Sequence, residues 1–301
     1  MQNQFPKVSI ITINFNQADV TRECLNSLRK VTYPNLEIFL VDNASAPENR
    51  LLQSEYPEVI FIQSDKNLGF TGGNNLAMKV ATGDFILLLN NDTEVPADFL
   101  EPLLKTFVDH PDAGIVSPKI IFFNSENLIQ YAGTTAINPY TCCGHTIGYK
   151  ETDNGQYNEV QKTDLAHGAC MLIKREVMNK IGMLHDRFFI YYEEYDYCEM
   201  TKRAGFSIYY NGLTYILHKE SVSVGKFSPF KAHYMAKNRV LLPGKIFGGG
   251  KSRFPLYYFM LALPKNHLRG RALKQRAWPG TVKRKETETG ATEHTMISSR
   301  L

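Results

Sequence analysis

The chain has 301 residues, 43% of them hydrophobic, which is enough for one large α/β domain, or for one domain with a small appendage. Its five cysteines are odd in number, irregularly spaced and without a CxxC pair, and they read as reduced thiols in a cytosolic compartment rather than as a disulfide framework. The net charge of +4 hides an asymmetry: residues 1–220 hold 18 Lys and Arg against 27 Asp and Glu, whereas residues 221–285 hold 15 Lys and Arg and no acid.

The opening MQNQFPKVSIITINF lacks a basic stretch followed by an apolar run and a cleavage site, so no signal peptide is expected. Residues 7–15 form a short β-branched apolar run and read as a buried strand. Residues 17–31 follow with helical spacing at Val20, Cys24, Leu25 and Leu28. A second strand, 36–41, ends at Asp42. Residues 47–55 read as helix and 59–63 as a third strand. The segment Asn67–Asn75 reads as a glycine-rich turn leading into a helix that runs to about residue 81. A fourth strand, 84–89, ends in Asn90-Asn91-Asp92. Strands alternating with helices imply a mostly parallel, doubly wound sheet, whose ligands bind beyond the carboxyl ends of the strands. Asp42 and Asp92 both stand at such ends.

Further along, 97–110 reads as a helix with Phe99, Leu103, Leu104 and Phe107 on one face, and 115–123 as a strand. Residues 124–165, rich in Asn, Thr, Gly and Tyr, read as irregular strands and loops. Helices are expected at 175–182 and 193–204, the latter ended by Gly205. Two short strands, 207–210 and 214–217, precede His218. Residues 254–263 are apolar but fall short of the ~20 residues that span a bilayer. Residues 265–278 mix Lys265, Arg269, Arg271, Lys274 and Arg276 with Leu268, Leu273 and Trp278, a composition suited to a helix lying in a membrane interface. The polar residues 281–301 are expected to be disordered. A basic, aromatic stretch on an acidic body fits an anionic membrane surface, with a plain solvated basic face as the alternative. No nucleic-acid motif accompanies the charge, so nucleic acid is not an expected partner.

Four local features carry chemistry. A carboxylate at an apolar strand end, Asp92 in LLLNND, can hold a hard divalent cation together with substrate phosphates, or it can cap the turn. Asn67-Leu-Gly-Phe-Thr-Gly-Gly-Asn-Asn75 is neither a Walker loop nor a GxGxxG fingerprint; its glycines allow close backbone approach to a ligand or simply make a tight turn. Phe188–Tyr197 gathers Glu193, Glu194 and Asp196 among aromatics, which raises a carboxylate's pKa toward that of a general base; acids at a solvated helix start are the alternative. His218, at a strand end, is either a structural histidine or a ligand.

Taken in order, VSIITINFN, LVDNAS, NLGFTGGNN, LLLNNDTEVP, HGACMLIKREV and FFIYYEEYDYCEMTKRAGF resemble the blocks of glycosyltransferase family 2, with the GT-A nucleotide-diphospho-sugar transferase fold, and within it the rhamnosyltransferase-like branch. The resemblance covers about residues 7–240. It implies a catalytic domain over 1–240, divided into a nucleotide-binding half (1–95) and an acceptor and catalytic half (96–240), followed by a basic membrane-surface extension (241–280) and a tail (281–301). It implies that Asp42 contacts a pyrimidine base, with Asn43, Asn14 and Asn16 bordering it. Asn67, Gly69, Phe70, Gly73 and Asn74 would lie beside the diphosphate and ribose. Asn90-Asn91-Asp92 stands where the family usually has Asp-x-Asp; with Asn90 in place of the first acid, Asp92 is left as the main carboxylate ligand of Mg²⁺ or Mn²⁺, completed by His218. Glu194 takes the place of the catalytic base, one methylene longer than the usual Asp, with Glu193 and Asp196 beside it. His167, Gly168 and Ala169 match a loop near the acceptor.

The resemblance therefore implies an inverting, metal-dependent glycosyltransferase at the inner face of the membrane. It would move a sugar from dTDP-rhamnose or a UDP-sugar to a saccharide or polyprenyl-linked acceptor. The rival readings are a nucleotide-sugar-binding protein without turnover, which needs no base, and a sugar nucleotidyltransferase, for which residues 14–30 lack a basic, glycine-rich triphosphate loop.

Overall fold

The computed structural model describes residues 5–47, 51–138, 144–219 and 228–246. All of these belong to one compact unit, Met1–Tyr258. In chain order the elements are β1 (Val8–Asn14), α1 (Ala18–Leu28), β2 (Leu36–Asp42), α2 (Leu52–Glu55), β3 (Ile60–Gln63), α3 (Gly69–Met78), β4 (Phe85–Leu89), β5 (Thr93–Glu94), α4 (Leu100–Asp109), β6 (Ala113–Phe122), β7 (Ile129–Tyr131), β8 (Val160–Thr163), β9 (Cys170–Lys174), α5 (Arg175–Ile181), α6 (Glu193–Arg203), β10 (Ser207–His218) and α7 (Pro229–Ile246).

The strands form one sheet in the order β3-β2-β1-β4-β9-β6-β10-β5, with β7 beside β6 and β8 beside β10. Strands β3, β2, β1 and β4 are mutually parallel, and β6 and β10 are parallel to each other. Strand β9 is inserted antiparallel between β4 and β6, so β6 and β10 run in the same direction as the first four. This is the mostly parallel α/β sheet that the alternating pattern predicts.

Both faces of the sheet are covered, which is why its strands read as continuous apolar runs. Val8, Ile10, Leu40 and Leu87 face α1 and α4, packing with Leu25, Leu28, Phe99, Leu100 and Leu103. Their neighbours along the strands, Ile11, Phe39, Val41, Ile86 and Leu88, face the other side and pack with Ala77, Met78, Val177, Tyr197 and Cys198 of α3, α5 and α6. The period-2 alternation of a strand sends successive side chains into the two layers. Cys24, Cys170 and Cys198 are buried free thiols.

The structure differs from the sequence expectations at several elements. The stretch read as a glycine-rich turn is itself helix α3, beginning at Gly69. Its glycines serve packing: a Cβ on Gly73 would stand 2.9 Å from the Ile13 side chain of β1, and one on Gly72 would stand 2.7 Å from Leu68. The two strands expected at 207–210 and 214–217 are one strand, β10, whose register slips between Asn211 and Tyr215. The Asn211 side chain makes that slip possible: its amide donates to Pro102 O and Thr106 Oγ1, each at 2.8 Å, and its Oδ1 accepts the Leu213 N–H. Strand β5 and helix α7 were not anticipated. Helix α7 crosses residue 240, and the interfacial helix and polar tail expected beyond residue 246 lie outside the described residues. No helix among the described residues is long and apolar enough to cross a membrane.

Candidate active site

In a sheet of this topology the carboxyl ends of β1, β2, β4, β6 and β10 gather at one edge, joined there by the amino end of the antiparallel β9. The chemically interesting residues stand along that edge: Asn14 ends β1, Asp42 ends β2, Asn90–Asp92 follow β4, His218 ends β10, and His167–Ala169 lead into β9.

A continuous polar network links the first three. The Asn14 amide donates to Asp42 Oδ2 (3.0 Å) and Ser45 Oγ (3.1 Å), while its Oδ1 accepts from Gln17 N and Thr21 Oγ1. Thr21 Oγ1 in turn accepts from Asn91 Nδ2 at 2.8 Å, one residue before Asp92. Asp42 is 1% exposed, and its other oxygen accepts from Ser45 N and Gln63 Nε2. With both oxygens engaged by the protein, Asp42 shapes the rim; Asn16, Gln63 and Asn67 are exposed there. Asn16 sits in the left-handed region at φ +55, where Asn is tolerated, and its Oδ1 accepts the Ala46 N–H. Asn43 clamps the start of α3: its amide donates to Asn67 Oδ1 and Gly69 O, and its Oδ1 accepts the Leu68 N–H.

Helix α3 is docked from its first residue on the segment that carries the acidic cluster. Phe70 N donates to Phe189 O at 2.8 Å, and a Cβ on Gly69, which stands at φ +70, would lie 2.2 Å from that same carbonyl oxygen. Only glycine permits this approach and this backbone conformation together. The Phe70 N–H is thereby already used within the protein, and the start of α3 packs closely on the Phe189 carbonyl. Asn74 donates to Phe70 O within the helix. Asn75, whose part the sequence did not reveal, bonds Leu184 O and Asp186 Oδ1 and ties α3 to the same segment from its other end.

At the far side of the edge, Asp92 Oδ1 lies 3.1 Å from His218 Nε2, both residues being buried. Their backbones are joined by the β5–β10 pairing of Thr93 with His218. His218 Nδ1 is 2.8 Å from Gln130 Oε1, a contact that fixes the orientation of the ring. Nε2 faces the carboxylate oxygen, where it can donate to Asp92 or, in the other tautomer, offer its lone pair to a cation shared with that carboxylate. An imidazole with one nitrogen fixed by a carbonyl oxygen and the other beside a carboxylate is the donor set that divalent metals use. Among the described residues no three His, Cys, Asp or Glu side chains group as a metal site, so these two would be the protein's share.

The loop 167–169 runs from this pair to the acidic cluster. The His167 ring meets the His218 ring edge-on at 5.9 Å between centroids, and Asn90 N donates to Ala169 O at 3.0 Å. Ala169 N donates to His167 Nδ1, and burial together with neighbouring His218 pulls the His167 imidazole down to about 3, which keeps it neutral. Gly168 faces Glu194: a Cβ there would stand 3.8 Å from the Glu194 carboxyl carbon.

Glu193 and Glu194 open α6, with Tyr191 and Tyr192 before them in the left-handed region at φ +70 and +73. One carboxylate oxygen of each glutamate, Oε2, is buried without a hydrogen-bond partner among the described residues. Burial pushes Glu194 up to about 7; burial and the adjacent Glu194 push Glu193 well above the ordinary carboxylate range. Asp196, grouped with these two from the sequence, is used otherwise: it is 2% exposed, 2.5 Å from His185 Nδ1 and 3.6 Å from Arg187 Nη2, and it anchors the 185–187 loop to α6.

The site is thus a buried carboxyl group with a pKa near neutrality, facing a small-residue loop whose other end touches an Asp–His pair at a parallel strand end. The description of Glycosyl transferase family 2 matches residues 9–182. The chain belongs to glycosyl transferase family 2. Its relatives include the low-salt glycan biosynthesis hexosyltransferase Agl10 of Haloferax volcanii, 28% identical over 82% of this chain and 78% of that protein. The O-antigen biosynthesis protein RfbC of Myxococcus xanthus is 29% identical over 72% of this chain but only 18% of its own length. Among solved structures, the mannosyltransferase PcManGT of Pyrobaculum calidifontis, in complex with GDP-Man and Mn²⁺, superposes with a TM-score of 0.54 at 18% identity, over 90% of this chain and 80% of that one. GalNAc-T7 with UDP, GalNAc and Mn²⁺ superposes with a TM-score of 0.61 at 16% identity, over 72% of this chain and 44% of that one. These likenesses identify the fold as GT-A, and membership of the family makes the chain a glycosyltransferase.

Proposed function

We propose that this family 2 glycosyltransferase is inverting and metal-dependent. It moves a sugar from a nucleotide-diphosphate donor to a saccharide or lipid-linked saccharide acceptor. The observation that carries the reading is the pairing, across the 167–169 loop, of a carboxyl group tuned to about 7 with the Asp92–His218 pair. A catalytic base works best with a pKa near the operating pH, and an exposed helix-capping glutamate would not have one.

Asp92 and His218 would hold Mg²⁺ or Mn²⁺, with the donor's phosphates and water completing its coordination. A divalent cation bound there supplies charge neutralisation for the diphosphate leaving group. GalNAc-T7 with UDP, GalNAc and Mn²⁺, and PcManGT with GDP-Man and Mn²⁺, support this reading of the donor set. Glu194 removes the acceptor hydroxyl proton as that oxygen attacks the anomeric carbon, and the bond from that carbon to the diphosphate oxygen breaks on the opposite face. One displacement inverts the anomer. Gly168, by leaving space in front of Glu194, admits the acceptor hydroxyl, and neutral His167 beside it adds no competing charge. Asn16 and Asn67 are exposed polar groups offered to the nucleotide, on a rim shaped by Asp42, Asn14 and Asn43.

The donor we would test first is dTDP-rhamnose, then the UDP-hexoses. The basic stretch 221–285 supports a location at an anionic membrane, next to a polyprenyl-linked acceptor. Deleting residues 247–301 should release the protein from vesicles rich in phosphatidylglycerol; undiminished binding would reject that stretch as the anchor.

The function is tested by incubating the protein with Mn²⁺, a panel of nucleotide sugars and lipid-linked acceptors, and following the small product. Release of nucleoside diphosphate with one donor supports the reading. Release of pyrophosphate would make the chain a nucleotidyltransferase, and binding without any product would make it a binding protein.

A further inference from the structure

We propose that Asn238, on helix α7, is a positioning residue for the catalytic base: its amide group holds the strained turn at Tyr191–Tyr192 and so sets where Glu194 stands. The proposal rests on the assignment of Glu194 as that base.

The turn is unusual in having two successive aromatic residues at φ +70 and +73, where an L side chain crowds its own backbone. The Tyr192 side chain at the head of α6 makes no capping hydrogen bond, and the Glu194 carboxylate itself accepts from the Tyr192 backbone, so the position of that carboxylate is tied to this turn. Left alone, the two tyrosines would return to negative φ and carry the first turn of α6 with them. The restraint comes from the far end of the described chain. Asn238 is fully buried, and its Nδ2 donates to Ile190 O at 2.9 Å and to Tyr191 O at 2.8 Å, the two carbonyls that lead into the turn. The orientation of the amide is dictated, because the flipped group would set its oxygen against both carbonyl oxygens. Both donors are spent on the turn, while Asn238 Oδ1 is buried with no hydrogen-bond partner among the described residues. An asparagine kept at the cost of an unsatisfied oxygen is there for its donors.

The rest of α7 acts in the same sense. Arg239 Nε donates to Tyr192 Oη at 2.9 Å, and Leu242 packs with Phe188 and Tyr192 in a small core of their own. Across the turn, Phe189 O is bound by Phe70 N of α3. The turn is therefore held between two helices, and Glu194, two residues beyond it, is delivered against Gly168. The charged neighbour of Glu194 on its own helix is Glu193, and on α7 Lys231 lies 5.8 Å from the centre of the Tyr191 ring while Arg239 bonds Tyr192. His185 and Arg187 are taken up by Asp196.

The test is a carboxyl ¹³C NMR titration of the full-length protein labelled at glutamate, with the Glu194 resonance assigned by its loss in Glu194→Gln. In Asn238→Ala the midpoint should fall from about 7 by at least one pH unit toward that of an exposed glutamate, as the freed turn admits water. Hydrogen exchange should rise in peptides covering 186–197 and stay unchanged in those covering 85–95. Adding Tyr191→Gly to Asn238→Ala should return the midpoint at least halfway, because glycine takes φ +70 without strain. A wild-type midpoint in folded Asn238→Ala, or no recovery with Tyr191→Gly, overturns the proposal. Should Asn238→Ala not fold, Asn238→Ser, which keeps one donor, is titrated instead; an intermediate midpoint supports the proposal and a wild-type midpoint overturns it. Wild-type turnover in Glu194→Gln would remove the base assignment while leaving this titration of the turn intact, so the two claims fail separately.

Discussion

Replacing Glu194 by Gln should make the protein more stable and much less active, with the stability gain appearing only above a definite pH. The carboxyl group has an ordinary pKa of 4.5 in the unfolded chain and about 7 in the folded one. The native state therefore binds more protons than the unfolded state between these values, and stability falls as pH rises through that window. Below pH 4.5 both states are protonated and the residue contributes nothing through this route. Above pH 7 the full cost of a buried, ionised carboxylate is present. At about 1.4 kcal/mol for each pKa unit, the cost reaches at most ~3–4 kcal/mol, some of it shared with Glu193. Glutamine keeps the shape and removes the charge. Urea unfolding of the two proteins at pH 4, 5, 6, 7 and 8 should give equal stabilities at pH 4, a divergence growing from pH 5 to 7, and a constant gap beyond. Turnover of the variant should fall by roughly 10²- to 10⁴-fold, the usual worth of a well-placed base. Wild-type turnover should show an acid limb near pH 7, falling at lower pH as the base is protonated. A stability gap independent of pH, or a variant that turns over normally, would refute the reasoning that burial tunes this residue for proton removal.

Gly69→Ala should destabilise the protein by at least ~1–3 kcal/mol, since the new Cβ meets Phe189 O at 2.2 Å in a conformation only glycine adopts easily; thermal unfolding indistinguishable from wild type would reject the close docking of α3. Lys119→Met should cost about 3 kcal/mol by stranding Asp153, its partner at 2.8 Å in a pair that is largely buried. Calorimetry is the check, with a fall in Tm of roughly 6–12 °C expected for a domain of this size; a change under ~2 °C would mean that the segment around residue 153 is held by other contacts.

Much of the edge that carries the site can be read directly from the chain, for a physical reason. A strand buried on both faces is an apolar run, so the polar residue that ends it marks where the sheet meets solvent. Asn14, Asp42, Asp92 and His218 are all found in this way. Helix α4 is legible because Leu100, Leu103 and Leu104 repeat at helical spacing on one buried face. The glycine-rich segment 67–75 misleads because glycine and asparagine signal a turn locally, whereas here tight packing on Ile13, Leu68 and Phe189 outweighs that preference. Strand β10 looks like two because residues 211–214 lack apolar alternation; the hydrogen bonds of Asn211 that carry the strand across the slip come from α4, more than a hundred residues away. Gln63, Gln130, Asn75 and Asn238 carry no local signal at all. Each acts by orienting a distant group, and only the fold brings them together. The raised pKa of Glu194 stands between the two cases: the aromatic setting of 188–197 points to it, while the fold supplies the burial that sets it.

The central claim is that Asp92 and Glu194 serve one nucleotide sugar in different capacities, and it is tested most directly by thermal shift of the wild type, Asp92→Ala and Glu194→Gln across a panel of nucleotide sugars with and without Mn²⁺. A ligand at 100 times its Kd stabilises by about 2.7 kcal/mol, which for a domain of this size is a rise of roughly 5–10 °C. The account predicts that one donor gives such a rise only with Mn²⁺, that Asp92→Ala abolishes it and that Glu194→Gln keeps it. A rise equally large without metal, or one that survives Asp92→Ala, would contradict it.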